Sequence, residues 1–226
     1  MRASHDSNIG RTGRTHRTIT SNRTTPERHR RPTETRRALI EAAARIFNST
    51  GYHGTDSNRI AREAGYAPGT FYVHFPDKLA IFLEVYETWV SAEWSSIEAI
   101  LRSGGSARAI RSRLSRAVLE HHRKWRTFRA SLRALTATDV VVHAARVASR
   151  DRQIETMTRL IRARNTPVPS RARMLAQLLV AEALCDAVAE GDAKSLGVRE
   201  EEIMRMLDES ARDLLDDRAA PRQPNR

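Results

Sequence analysis

An all-α fold is predicted by three features of this sequence. Strand signals are scarce: aromatic residues make up 5% of the chain, and no alternating apolar run is bounded by hairpin turn pairs. Good helix formers, with Ala, Leu, Arg and Glu foremost, dominate the composition. Apolar residues recur at three- and four-residue spacing in one segment after another, each closed by a glycine or a proline. With 226 residues and 40% hydrophobic side chains, the chain is long enough for a small N-terminal domain and a larger second one, each with a core.

Residues 1–32 form a separate zone rich in Arg, Thr, Ser, Asn and His. Ile9 and Ile19 are nearly its only large apolar side chains, so this arm is expected to be disordered. Its eight arginines against Asp6 and Glu27 carry +6 of the formal net charge of +12. Two readings of it stand: an arginine arm that adds phosphate contacts or enters a minor groove, or a dispensable tail or upstream extension. Order is expected from Pro32-Thr33, with Thr33 capping a helix whose first turn holds Glu34 near the positive end of the dipole. Leu39, Ile40, Ala43, Ala44 and Phe47 give that helix a buried face up to Gly51, and Arg36 or Arg37 at its start could lie near a DNA backbone.

The stretch TDSNRIAREAGYAPGTFYVHFPDK, residues 55–78, holds two short helical patterns that meet across a glycine. The first has Ile60, Ala61 and Ala64 on one face, with Thr55 free to cap its N-terminus. Gly65 ends it, as a tight turn needs a residue that accepts positive φ. Pro68 suits the first position of the second helix, where a missing N–H costs nothing, and Gly69 lets the backbone approach a surface closely. Thr70, Tyr72, His74 and Lys78 then supply groups suited to phosphates and base edges. The pattern predicts a helix-turn-helix directed at DNA.

The blocks IAREAG (60–65) and PGTFYVHFPDK (68–78) resemble the DNA-binding signature of the tetracycline-repressor-like (TetR) family of bacterial transcriptional regulators. The resemblance covers residues 33–82 well; beyond about residue 90 it is one of helical character and length. It implies a dimeric repressor with a three-helix N-terminal DNA-binding domain and a divergent helical ligand-binding and dimerisation domain. Thr70, Tyr72 and Lys78 match the phosphate-contacting places. Ser57 and Asn58, with Thr55 beside them, match contact positions of the first motif helix, and Ala67, Pro68, Gly69, Val73 and His74 match the exposed face of the recognition helix. Ala67 stands where many relatives have a serine, and Tyr66 replaces a common valine. The expected organisation is an arm over 1–32, the helix-turn-helix domain over 33–80, a regulatory and dimerisation domain over 81–218, and a disordered tail over 219–226.

From Asp77 a long helix should carry Phe82, Tyr86, Trp89, Val90, Trp94, Ile97 and Leu101 in register until Gly104-Gly105. Stripes follow at Ile110, Leu114, Val118 and Trp125; at Phe128, Leu132 and Leu135; and at Val140, Ala144, Val147, Ile154, Met157 and Ile161, before Pro167 and Pro169. Ser170 can cap the next helix, whose broad apolar face runs through Met174, Leu175, Leu178, Leu179, Ala181, Cys185 and Val188 to Gly191. The last helix opens on Glu200, Glu201 and Glu202 and continues as Ile203, Leu207, Ser210, Ala211 and Leu214. These two helices are the dimer candidates, represented by Met174, Leu178, Leu179, Cys185, Ile203, Leu207 and Leu214; the other reading is that they close a monomeric core.

Polar residues interrupting the stripes mark candidate positions for a small apolar or amphipathic ligand: His121, His122, Asp151 and Glu182. Trp89, Trp94, Trp125, Phe128 and Met157 could line that pocket, although such residues are more often core. A pI near 11.0 points to a polyanionic partner, nucleic acid before membrane. The single cysteine excludes an internal disulfide framework and a cysteine-based zinc site, and fits a reducing cytoplasm. No apolar signal region or membrane-length run is present. No metal, cofactor or catalytic set is expected: a Gly-rich phosphate loop after a strand and an HExxH pair are both missing, and adjacent His121 and His122 diverge by about 100° on a helix. The expected function is therefore a DNA-binding, homodimeric repressor released from a double-stranded operator by a small-molecule effector. A helical enzyme and a nonspecific architectural nucleic-acid binder are the alternatives.

Overall fold

The computed structural model describes residues 32–164 and 167–215, with side chains through residue 212. The arm before Pro32 and the tail from 219 to 226 lie outside the described residues. Ten helices and no strand are found among the described residues: α1 (Pro32–Thr50), α2 (Ser57–Glu63), α3 (Pro68–His74), α4 (Lys78–Arg102), α5 (Ala107–Lys124), α6 (Arg126–Thr138), α7 (Val140–Arg162), α8 (Arg171–Glu190), the short α9 (Asp192–Ser195) and α10 (Glu200–Leu215).

Capping chemistry sets most of these boundaries. Asp77 accepts the Ala80 N–H at 2.8 Å and starts α4; Ser106 and Ser170 do the same for α5 and α8. Asp139 takes the N–H groups of both Val141 and Val142, which separates α6 from α7 by a single residue. Two expected caps are corrected. Thr33 lies inside the first turn of α1, because Pro32 itself occupies the first helical position, where its fixed φ fits. Thr55 is buried and caps nothing; Asp56 is one residue nearer the helix and its carboxylate accepts the Arg59 N–H at 2.8 Å.

The main apolar cluster begins between α1, α2 and α3 with Leu39, Ala43, Phe47, Ile60, Ala61 and Phe71. It does not stop at residue 80. Phe82, Tyr86 and Trp89 on α4 carry it to Phe128, Leu132 and Leu135 on α6 and Val142 on α7. Phe47 meets Phe82 edge-on at 5.2 Å between ring centroids, and Phe82 lies 4.9 Å from Phe128. Polar bonds add to the seam: Asn48 donates to the Lys124 carbonyl at 2.6 Å, and Tyr52 N–H reaches the Ser131 hydroxyl at 3.0 Å. Gly51, at φ +75°, makes that approach possible, since a Cβ there would stand 3.1 Å from the Ser131 hydroxyl.

Two smaller clusters complete the body. One joins Leu119 of α5 to Cys185 of α8 and to Ile203 and Leu207 of α10; the other joins Ile154, Met157 and Ile161 of α7 to Met174 of α8. The register of α7 departs from the expected stripe. Val140 is 82% exposed and Val147 58% exposed, whereas Val142, Arg146, Ser149 and Gln153 face inward. The reason is polar: Arg146 pairs with Glu182 at 2.9 Å and Ser149 bonds the Tyr86 hydroxyl, so this half of the helix buries satisfied polar groups. No helix among the described residues is long and apolar enough to cross a membrane.

Candidate nucleic-acid interface and helical cavity

The α2–α3 unit is held by backbone geometry. Gly65 takes φ +81°, and the Tyr66 N–H returns to the Ala61 carbonyl at 2.9 Å, closing α2. Pro68 opens α3; Ala67 makes no side-chain cap, as its lack of a hydroxyl requires. Phe71 is fully buried against Ile60 and Phe75 in the head's core, while Ala67, Pro68, Gly69, Tyr72 and Val73 are exposed, Val73 by 79%. Thr70 and His74 are half-buried at the edges of the same face, and Asn58 with Arg59 and Arg62 is exposed on α2.

Three of the expected contact residues are placed otherwise. Thr55 and Ser57 are both buried in the free protein. The Lys78 ammonium donates to the carbonyls of Tyr52 at 2.9 Å and Thr55 at 2.8 Å and lies 4.1 Å from the centre of the Tyr52 ring. Burial lowers its pKa from the usual lysine value, against the attraction of Asp56. Lys78 thus clamps the loop between α1 and α2 to the start of α4, which positions the motif. Arg36 is held by Glu84 at 2.6 Å and stacks over Phe75, and Arg37 lies toward Glu41.

A cavity of about 170 Å³ opens between α4, α5, α7, α8 and α10. Four candidate residues line it: Trp94, His122, Met157 and Glu182. The others do not meet there. Trp89 stacks on His121 at 5.2 Å, and Trp125 meets Phe128 edge-on at 5.7 Å; all four belong to the seam between the head and α6. They were drawn there because large rings fill the junction of three helices. Asp151 is exposed and paired with Arg171 on the surface. Among the dimer candidates, Met174, Cys185, Ile203 and Leu207 are buried within the subunit and Leu178 lines the cavity, because one side of α8 closes on α5, α7 and α10. Leu179 is exposed; the Leu214 side chain is outside the described residues. On the outer side of α8, Ala172, Leu175, Ala176, Leu179, Val180 and Ala183 form one exposed apolar face, with Met206 exposed on α10.

Two carboxylates outside the expected set, Glu93 in the cavity wall and Asp186 behind it, organise this region. Asp186 accepts from His122 Nδ1 at 2.9 Å, Arg129 at 2.6 and 2.9 Å, and Arg133 at 2.6 Å. Burial opposes its charge, but the bonds from His122 and Arg129 hold its pKa well below the carboxylate range. Burial lowers the pKa of His122, against the Asp186 bond. Glu93, on α4, lines the cavity and faces His122 Nε2 at 3.8 Å, too long for a hydrogen bond. Burial pushes its pKa up to about 7, although Arg129 pulls the other way. The signal for Glu93 was present in the sequence, four residues after Trp89 and four before Ile97.

Residues 39–85 match the sequence profile of bacterial regulatory proteins of the tetR family. The HTH-type transcriptional regulator YuxN of Bacillus subtilis (strain 168) is 33% identical over 92 residues, 39% of this chain and 32% of that protein. The chain thus spans about a third of the length of the curated relatives it matches first. The crystal structure of a TetR-family transcriptional regulator from Rhodococcus sp. shares the fold with a TM-score of 0.64 at 18% identity, covering 81% of this chain and all of that one. A transcriptional regulator from Saccharomonospora viridis, solved in complex with choline, gives 0.62 at 22% identity over 79% and 96% of the two chains.

Two outcomes follow from these geometries. A Cβ at Gly69 would meet nothing within 4 Å, and its φ is ordinary for a helix, so Gly69→Ala should stabilise the head by about 0.5–1 kcal/mol. If the bare backbone is what approaches the groove, the same change should weaken specific DNA binding by about 1 kcal/mol or more; thermal melts and binding titrations on one preparation separate the two. For Glu93, a folded pKa near 7 against the usual 4.5 means that protonation favours the folded state. Its contribution is fully present below 4.5 and is lost as pH rises through about 7. The Tm of the natural chain relative to Glu93→Gln should therefore fall across that window. His121, with a pKa that burial lowers to about 4, acts in the opposite sense in both proteins and cancels in the difference.

Proposed function

We propose, for a chain that belongs to the TetR family of bacterial regulatory proteins and carries its DNA-binding helix-turn-helix, a role as a homodimeric transcriptional repressor released from its operator by a small ligand. The observation that carries the reading is the exposed face of α3, Pro68, Gly69, Tyr72 and Val73, raised on a helix whose one fully buried side chain is Phe71. A glycine flanked by a proline and a phenol, with no other role in packing, suits backbone approach to a groove and a hydroxyl contact to phosphate. Thr70, His74 and Asn58 border that face, and Arg62 adds charge.

One such helix covers only a few base pairs, so two subunits are needed to specify a site. The outer face of α8, Leu175, Leu179 and Val180 with the alanines between them, supports an isologous interface, with Met206 of α10 continuing it. The operator is then a pseudo-palindrome with half-sites about one DNA turn apart or slightly more. The cavity supports ligand control: it is walled by apolar side chains from five helices and lies beside α4, whose first turn adjoins α3. The role runs through DNA and ligand binding, and no step of it calls for catalysis.

The test pairs two substitutions. Leu179→Glu should leave the fold intact and give a monomer by sedimentation that loses most operator affinity. Leu207→Glu, which buries a charge inside the subunit, should instead unfold the second half of the chain, lowering Tm by several degrees or more. A Leu179→Glu protein that stays dimeric and keeps operator binding would overturn the interface.

A further inference from the structure

Three acidic side chains stand at or near the cavity wall, and they differ in how they are satisfied. Glu182 is paired with Arg146 at 2.9 Å and Arg150 at 2.6 Å. Asp186 holds two arginines and a histidine. Glu93 has no lysine or arginine within ion-pair distance among the described residues; its near neighbour is His122 Nε2 at 3.8 Å. His122 Nδ1 is engaged by Asp186 at 2.9 Å, and at 3.8 Å Nε2 is too far from Glu93 for a hydrogen bond. The groups facing Glu93 from the packed helices are His122 of α5, Arg129 of α6, and Glu182 and Asp186 of α8. Of these, Arg129 is already committed to Asp186.

A carboxylate left in an apolar cavity without donors is costly unless a partner arrives. Most of the remaining wall is apolar, with Trp94, Ile97, Leu101 and Met157 around the same space, and its other polar members, Ser115, Gln153 and Gln177, are uncharged. A metal ion is a poor partner, since no group of three or more His, Cys, Asp or Glu that could hold one is found among the described residues. An organic anion would meet the unpaired Glu93. An organic cation fits: its charge answers Glu93, its apolar body replaces water along the aliphatic wall, and the indole of Trp94 offers a face that attracts cations.

We propose that the effector is a small organic monocation, a protonated amine or quaternary ammonium with an apolar body, and that the Glu93 carboxylate is its counter-ion in the cavity. This rests on the ligand-responsive reading above and adds the charge class. Glu93 is the specificity-determining group; Glu182, also in the wall, is already neutralised by two arginines and does not compete for the charge.

Three probes of one chain length test it by calorimetry on the full chain: octyltrimethylammonium, 1-octanol and octanoate. The ammonium should bind at least about tenfold tighter than the alcohol, with octanoate weakest. Glu93→Gln should erase the ammonium's advantage, read as the ratio of ammonium to 1-octanol affinity in the same variant, with measurable 1-octanol binding as the sign that the cavity is intact. A ranking with octanoate or 1-octanol first, or an ammonium advantage that survives in Glu93→Gln, overturns the proposal. Release of operator DNA by octanoate or 1-octanol alone would overturn the charge class and keep ligand control. If none of the three binds, both the charge class and the ligand-responsive reading fall. The ranking on the natural chain decides the matter whether or not the variant folds.

Discussion

The buried ion pair between Asp186 and Arg129 is the constraint around which the chain is arranged. Asp186 sits on α8 and takes both nitrogens of a bidentate guanidinium from α6, a ring proton from His122 on α5 and a further bond from Arg133. Arg129 in turn lies over the Trp89 ring of α4 at 5.1 Å. One carboxylate thus fixes four helices relative to one another. Removing either member of such a pair leaves an uncompensated buried charge, typically about 3–5 kcal/mol, a large share of a domain's net stability. The neighbouring residue completes the arrangement: Phe128, one position before Arg129, packs on Phe82 and hydrogen-bonds through its N–H to Asn48 of α1 at 3.4 Å. Successive residues of α6 therefore grip the DNA-reading head and the cavity wall.

The helix-turn-helix was legible because its constraints are local. A glycine at φ +81°, a proline at a first helical position and an aspartate cap each leave a mark within four residues, and Gly65, Pro68 and Asp77 stand where the sequence placed them. The misplacements share a different cause. Apolar character points Val140 and Val147 inward, yet α7 turns Arg146, Ser149 and Gln153 inside, since Glu182 and Tyr86 wait there as partners. Periodicity weighs a side chain by its own polarity and is blind to a partner tens of residues away. Lys78 shows the same limit: its type suits a phosphate, and only the fold shows that two carbonyls of the α1–α2 loop also accept from its ammonium.

Helix α8 illustrates a further ambiguity. Its apolar face is broad, and the sequence leaves two uses open for it: a dimer interface through Met174, Leu178, Leu179 and Cys185, or the closing of a monomeric core. In the folded chain one side, with Met174, Leu178 and Cys185, closes the cavity and core, and the other, with Leu175, Leu179 and Val180, is left exposed. A helix apolar on all sides has two neighbours to satisfy, and only packing shows which side meets which. Glu93 was missed for the complementary reason. It sits in step with Trp89 and Ile97 and so carries the same mark as His122 and Glu182; what only the folded chain shows is that no lysine or arginine among the described residues pairs with it.

The unequal satisfaction of the cavity acids bears on how the two ends of the chain could communicate. Glu93 faces one nitrogen of His122, and the other nitrogen of the same ring holds Asp186. Under the proposed reading, a cation that settles against Glu93 changes the field on that ring and hence on one bond of the Asp186 cluster. Arg129 and the adjacent Phe128 then carry any shift of α6 to α1 and α4, which bound the head. The required energy is modest. Effectors of DNA-binding proteins need a coupling of about 1–3 kcal/mol, and a hydrogen bond to a charged group contributes about 1.5–3 kcal/mol. Strengthening or loosening one such bond would suffice, provided the dimer has two arrangements that DNA and ligand prefer differently.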